Sequence, residues 1–362
     1  MFTGVSFFGV IHQSGGCGPE LLGALDLLQS KGIEVRCILP KGDKTVTGDR
    51  SRYLFSRGIE VLEYIPGLFS QCSVLMSFGE DLCFEYMREH SDRPKRMVWS
   101  SCMLWAVDRE VKAHNEGLID EFFFQTEETA KKVVAAIKKR TKKSVPYRSG
   151  YLAHINPNSD YGRYRDFVMK DPKEFRVCKA VRDDHEKWHE DTWRMFCGIV
   201  APTGRKVQIE VAGWGPNAED KIGNPCNTSD RWSGLLDITL HSHIVNPVKM
   251  AELYGRAHVL LHYYPFEENY PRATLQAMLA RAVPIAEAKG GFFEQIQHGD
   301  TGFLVTSPEE ASYYASKLAF EKDTWKRMSE AAAKWVVKDG PGNPAKCWPW
   351  WKELLQISEI SF

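Results

Sequence analysis

The chain reads as an α/β protein built on doubly wound parallel sheets, and three stretches carry that reading. A strand, a glycine loop, a helix and a second strand follow one another over Thr3–Leu39, which is how a parallel βαβ arrangement opens. The alternation restarts after Tyr151–Arg165, a segment rich in Asn, Pro, Gly and Asp with the composition of a domain crossover. Tyr263–Val305 then supplies a carboxylate loop, a helix opened by Pro271, a short apolar strand and a paired-glycine turn into another helix. Helix N-termini leave unpaired N–H groups at the positive end of the helix dipole, so this stretch is expected to hold an anion.

Composition sets the limits. At 362 residues the chain is long enough for two domains, each with its own core. Hydrophobic residues at 43% and charged residues at 26% describe a globular chain and exclude a disordered one. Lys+Arg and Asp+Glu both total 47, so no global field attracts a polyanion and any such site must be local. The first apolar run has no basic segment before it and passes into a glycine loop, reading as a buried strand and not a signal peptide. No apolar run approaches the length of a bilayer span. Nine scattered cysteines fit free thiols in a reducing compartment. The expectation is a cytoplasmic protein, with peripheral contact at the inner face of a membrane left open.

Each element of the N-terminal half has its own justification. Thr3–Ile11 is the first strand, and Gly15, Gly16 and Gly18 form the loop after it. Pro19 suits the first turn of a helix, Leu21, Leu22, Leu25 and Leu28 give that helix an apolar stripe, and Gly32 ends it before the strand Glu34–Leu39. The glycine loop is a candidate phosphate contact, because residues without side chains let N–H groups approach an anion; as a tight turn it would serve packing alone. It is a poor dinucleotide fingerprint, since Leu21 stands where the third glycine would fall. Gln71–Phe78, Lys95–Ser101 and Glu121–Gln125 read as core strands, the last leading through Thr126 into a helix with Glu127 and Glu128 in its first turn. That helix turns basic over Lys131–Arg148, either a solvated face or a patch that meets phosphates of a lipid surface or a nucleic acid.

In the C-terminal half, Glu174–Val181 and Val207–Ala212 read as strands, His189–Ala201 and Lys249–Ala257 as helices, and His258–His262 as the strand before the carboxylate loop. His185, Glu186, Lys187, Trp188 and His189 spell H-E-x-x-H, the helical zinc signature of a metalloprotease. Its place at a strand-to-helix turn, without a third ligand at metzincin spacing, argues against zinc.

In order and spacing, several segments resemble the retaining glycosyltransferase family four (glycosyl transferases group 1). They are the Gly15–Gly16 loop with KGIEVRCILP, the pair Arg182 and Lys187 five positions apart, VAGWGP, NPVKMAELYGRAHVLLHYYPFEENYPRATLQAM, and AVPIAEAKGGFFEQIQHGDTGFLV. The resemblance implies a GT-B fold, two Rossmann-like domains facing across a cleft. On this pattern 1–165 is an acceptor domain, 166–344 a nucleotide-sugar donor domain, and a last helix at about 345–362 crosses back, with Trp348, Trp350 and Trp351 suited to anchoring it.

The resemblance also implies roles. Arg182 and Lys187 grip the donor diphosphate, whose charge grows as the glycosidic bond breaks, so fixed cations stabilise the leaving group most in the transition state. Glu268 lies by the donor sugar. Asn269, Tyr270, Pro271, Arg272, Gly290 and Gly291 approach sugar and phosphate, Gly15 and Gly16 close on them, and His243 and Ile244 lie against the base. The acid expected eight positions after Glu268 is Gln276, which offers ribose one carbonyl oxygen and an amide in place of a carboxylate. No convincing D-x-D motif asks for a metal, and the Asp183–Asp184 pair reads as a solvated turn. Many relatives carry a His where this chain has Ser100 and Ser101, and Trp99 and Trp105 are candidate acceptor platforms, with buried core as the competing role.

The implied activity is retaining transfer of a sugar from a nucleotide-diphosphate donor, UDP by default, to a saccharide or lipid-linked saccharide, with the nucleotide sugar as co-substrate and no cofactor or metal. Three alternatives stay open: a glycosyltransferase acting on modified DNA bases through Lys131–Arg148, an inactive nucleotide-sugar-binding relative, and a zinc protease through the HEKWH segment.

Overall fold

A computed structural model describes residues 2–9, 17–43, 54–100, 108–151, 163–171, 173–227, 237–244 and 246–355. The chain forms two compact units, one of 1–154 with 343–362 and the other of 155–342.

The first unit holds a parallel sheet of seven strands: β1 (Phe2–Phe8), β2 (Val35–Leu39), β3 (Glu60–Glu63), β4 (Cys72–Ser77), β5 (Arg96–Ser100), β6 (Glu121–Phe124) and β7 (Tyr147–Ser149), in the order β3-β2-β1-β4-β5-β6-β7. The second holds six parallel strands: β8 (Glu174–Ala180), β9 (Lys206–Ala212), β10 (Ile238–His241), β11 (Val259–His262), β12 (Val283–Glu287) and β13 (Phe303–Val305), in the order β10-β9-β8-β11-β12-β13. In each sheet the order reverses beside the first strand, the topology of a Rossmann-like fold with its ligand crevice at the C-terminal strand ends. β1, β2, β4, β5 and β6 are almost wholly buried runs, as parallel strands covered on both faces must be.

Local chemistry explains most boundaries. The helix Glu127–Thr141 is capped by Thr126, whose side chain accepts from the Thr129 N–H, with acids in its first turn and Lys138, Lys139 and Arg140 in its last. It stops at Lys142 in the left-handed region, and Pro146 favours an extended Val145 before it, so the tail of the basic run becomes β7. The helix expected over His189–Ala201 spans only Thr192–Cys197. Gly198 follows it at a close approach, since a Cβ there would lie 2.8 Å from the Ser312 hydroxyl.

The division at 154/155 precedes the expected boundary at 165. The reason is the turn Arg163–Phe167, which docks within the second unit on the helix Pro247–Arg256. Tyr164 meets Tyr254 with ring centroids 5.9 Å apart, and the Met169 N–H donates to the Gly255 carbonyl at 2.9 Å. The last helix, Pro344–Leu354, packs into the first unit: Trp350 meets Phe123 at 4.4 Å, Trp351 meets Phe7 at 6.0 Å, and the Arg96 guanidinium donates to the Leu354 carbonyl at 2.9 Å. Trp348 is only partly buried, beneath the Lys31 ammonium.

Candidate functional site

The chemistry-bearing residues of the second unit converge at the C-terminal ends of β8 and β11. After β8 the chain turns through Val181–Asp184 into a short 3-10 turn, His185–Lys187. Two glycines after β9 let that turn lie close: a Cβ on Gly213 would sit 1.7 Å from the Val181 carbonyl oxygen, and one on Gly215 would sit 2.2 Å from a carboxylate oxygen of Asp183. Asp183 accepts from the N–H groups of Asn217 (3.2 Å) and Ala218 (2.8 Å). It thereby caps the helix Pro216–Ile222, whose own N-cap Gly215 has no side chain to do so. The expected solvated turn is a clamp at Asp183, while Asp184 pairs with Arg182 at 2.8 Å.

The two expected diphosphate cations differ. Arg182 points outward, its side chain 62% exposed, whereas Lys187 is 7% exposed and turned inward. The Lys187 ammonium forms an ion pair with Glu268 and lies over the rings of Phe266 (4.3 Å) and Tyr264 (5.2 Å). The Tyr264 hydroxyl donates to the same Glu268 oxygen at 3.1 Å. Burial and the Glu268 charge push the Tyr264 phenol well above its ordinary range, so it remains a donor. One Glu268 oxygen thus receives both donors.

Beneath this pair, His262 ties three elements together. One ring nitrogen lies 3.2 Å from the Ala180 carbonyl and the other 3.4 Å from the Thr274 hydroxyl on the helix Arg272–Leu279. Burial, with the nearby Lys179, pushes its pKa down to about 3, so it acts as a neutral strut. Lys289 adds a brace from the end of β12, donating to the Tyr264 carbonyl at 2.6 Å.

The paired glycines hold the carboxylate loop. Gly290 has φ +52; a Cβ there would lie 2.4 Å from the Glu268 carbonyl oxygen, and one on Gly291 would lie 1.8 Å from that of Asn269. The Gly291 N–H donates to the Glu268 carbonyl at 2.8 Å, and the helix it opens, Phe292–Gln295, has four residues. That N–H is therefore engaged within the loop, and so short a helix carries little dipole. The helix Arg272–Leu279 does follow Pro271, whose carbonyl accepts from Gln295 at 3.2 Å. Asn269 and Tyr270 are buried, Arg272 is half-buried, and the half-buried Gln276 side chain makes no hydrogen bond among the described residues.

His243 is exposed and Ile244 half-buried just past β10, on the same edge of the sheet as Lys187. In the first unit Trp99 and Ser100 are fully buried. The Trp99 indole donates to Glu110 at 3.2 Å and packs on Phe84 at 4.6 Å, so it offers no ring face to an acceptor, and the acceptor role expected of these two is corrected to core packing. Gly15, Gly16, Ser101 and Trp105 lie outside the described residues. The HEKWH segment does not place its two histidines on one helical face: the 3-10 turn ends at Lys187, Trp188 is extended, and Lys187 between them faces Glu268.

Residues 163–335 match the model of glycosyl transferases group 1. A search by sequence found no match among curated proteins. Among solved structures, Anabaena HepE in complex with UDP and glucose superposes with a TM-score of 0.69 at 14% identity, over 97% of this chain and 99% of that one. A glycosyltransferase from Rickettsia africae ESF-5 gives 0.70 at 14% identity over 98% and 99%, and an alpha-glucosyltransferase (AGT) in complex with UDP gives 0.66 at 12% over 97% and 99%. At these identities the likeness is one of fold. Residues 163–335 thus match glycosyl transferases group 1, and the chain as a whole has the GT-B fold.

Proposed function

We propose that this glycosyltransferase moves a sugar from a UDP-sugar to a hydroxyl acceptor with retention of configuration, the acceptor being a saccharide or lipid-linked saccharide. The observation that carries this reading is the inward pair Lys187 and Glu268, locked by Tyr264 at the crevice edge of the second sheet. Lys187 would meet the diphosphate, with Arg182 reaching it from the exposed side, and so stabilise the charge left when the glycosidic bond breaks. Glu268 would accept from sugar hydroxyls through its second oxygen. The leaving phosphate would take the acceptor proton on the face from which it departs, so no enzyme nucleophile or metal enters the scheme. Uridine is favoured by HepE and the alpha-glucosyltransferase, both of which were solved with UDP.

The DNA alternative has less support from the basic run, part of which is already spent internally. Lys132 pairs with Glu128 and Arg140 with Asp108, while Lys143 donates to the Asn115 carbonyl. The deciding experiment incubates the protein with a panel of nucleotide sugars and scores donor hydrolysis. Turnover of a UDP-sugar is the expected result; binding without turnover of any donor would leave only a nucleotide-sugar-binding protein.

A further inference from the structure

Lys179 lies near the end of β8 with its side chain fully buried. Its ammonium has no carboxylate partner among the described residues. It donates to the Tyr263 carbonyl at 3.3 Å and sits over the rings of Tyr264 (4.9 Å) and Trp188 (5.4 Å). An unpaired ammonium taken out of water is costly, and no packing need explains one here, where a methionine would fill the same space. What distinguishes the position is its neighbour: Lys187 approaches the same Tyr264 ring.

The other ionisable groups around it are accounted for. From the 3-10 turn comes Lys187. From β11 and the loop after it come His262, held neutral, the phenols of Tyr263 and Tyr264, and Glu268, whose charge is engaged by Lys187 and Tyr264. From β12, Lys289 and Glu287 pair with each other at 2.5 Å. None of these supplies Lys179 with a counter-charge of its own.

We propose that Lys179 is a positioning residue of the donor site, which holds the Tyr263–Tyr264 backbone and takes up a proton from solvent when a nucleoside diphosphate binds at Lys187. The proposal rests on the donor reading above. Burial and the Lys187 charge push Lys179 down to about 7, so near neutrality the empty site holds both its amine and its ammonium forms. A diphosphate brings negative charge against Lys187, the field extends through the shared apolar wall, and opposite charge favours the ammonium. No bond of the nucleotide changes; one amine gains one proton, and the cationic wall strengthens when the anion arrives.

The test is calorimetry of UDP-glucose and UDP-N-acetylglucosamine near pH 7 in buffers of different ionisation enthalpy. Their diphosphates are diesters that do not titrate in this range. The wild type is expected to take up about half a proton per nucleotide sugar bound, vanishing by about pH 5 where the amine is already protonated. Lys179→Met is expected to bind without uptake. Binding by the wild type without proton uptake, or uptake that persists in Lys179→Met, overturns the proposal and leaves the donor reading standing; failure of both nucleotide sugars to bind overturns both. A direct reading is the side-chain carbon resonance of Lys179 in isotope-labelled protein, assigned by its loss in Lys179→Met because burial also pushes Lys170 down to about 7, and expected to titrate near pH 7 and to shift its midpoint upward on binding. Absence of such a titration overturns the proposal.

Discussion

Lys187 shows how much one side chain can concentrate. It is nearly buried, paired with Glu268 and covered by two aromatic rings, whereas Arg182 five positions earlier stands in solvent. The inward cation should therefore carry more of the leaving-group stabilisation. Lys187→Ala is expected to lower kcat by about 100- to 1000-fold, and Arg182→Ala by distinctly less, read by steady-state turnover of the donor identified in the panel. At Gln276 the half-buried side chain, on the helix after the carboxylate loop, makes no hydrogen bond among the described residues. Gln276→Glu is expected to keep or tighten nucleotide-sugar binding, because a carboxylate accepts from two ribose hydroxyls at once; calorimetry showing complete loss would remove Gln276 from the ribose end.

Among elements, the decisive contact is the clamp that Asp183 forms on the helix Pro216–Ile222. Replacing an N-cap oxygen by a methyl group costs about 1 kcal/mol. Asp183→Ala should show that loss in urea denaturation, together with weaker donor binding, since the same turn presents Arg182 and Lys187. The last helix gives a plainer case. Trp351 is fully buried against Phe7 in the core of the first unit, so Trp351→Ala is expected to cost about 3–5 kcal/mol, measured as a lower unfolding midpoint of that unit. The aromatic run Trp348, Trp350 and Trp351 was legible as an anchor, but the helical period decided which rings turn inward. Asp183 was not legible as a cap because the helix it serves begins 33 residues later, at Pro216.

At the scale of the whole molecule, the buried histidines set a pH dependence. Burial, with Lys170, Arg205 and Arg176 nearby, pushes His258 from 6.5 down to about 3, and burial with Lys179 does the same to His262. Between these values the unfolded chain protonates both rings and the folded chain does not. The unfolded state therefore binds more protons, and stability is fully present above pH 6.5 and lost as pH falls toward 3. The slope is about 1.4 kcal/mol per pH unit for each ring. Urea midpoints measured from pH 7 to 4 should fall along this course, and the fall should be shallower in His262→Gln.

The sequence by itself determined the α/β class and most strand positions to within a residue or two, and it singled out the strip from Tyr263 to Val305. These follow from signals a few residues wide: apolar runs, glycines at turns, prolines at helix starts. Only the tertiary structure decided that Lys187 turns in to meet Glu268 while Arg182 turns out, that the Gly291 N–H is spent on the Glu268 carbonyl, that Trp99 is core, and that Lys179 lies beneath the site with no carboxylate partner among the described residues. Lys187 and Glu268 stand 81 residues apart, and what brings them together is the adjacency of β8 and β11 in the sheet. Strand order and the packing of loops above it are set by the burial of the whole apolar surface at once, which no short window of sequence records.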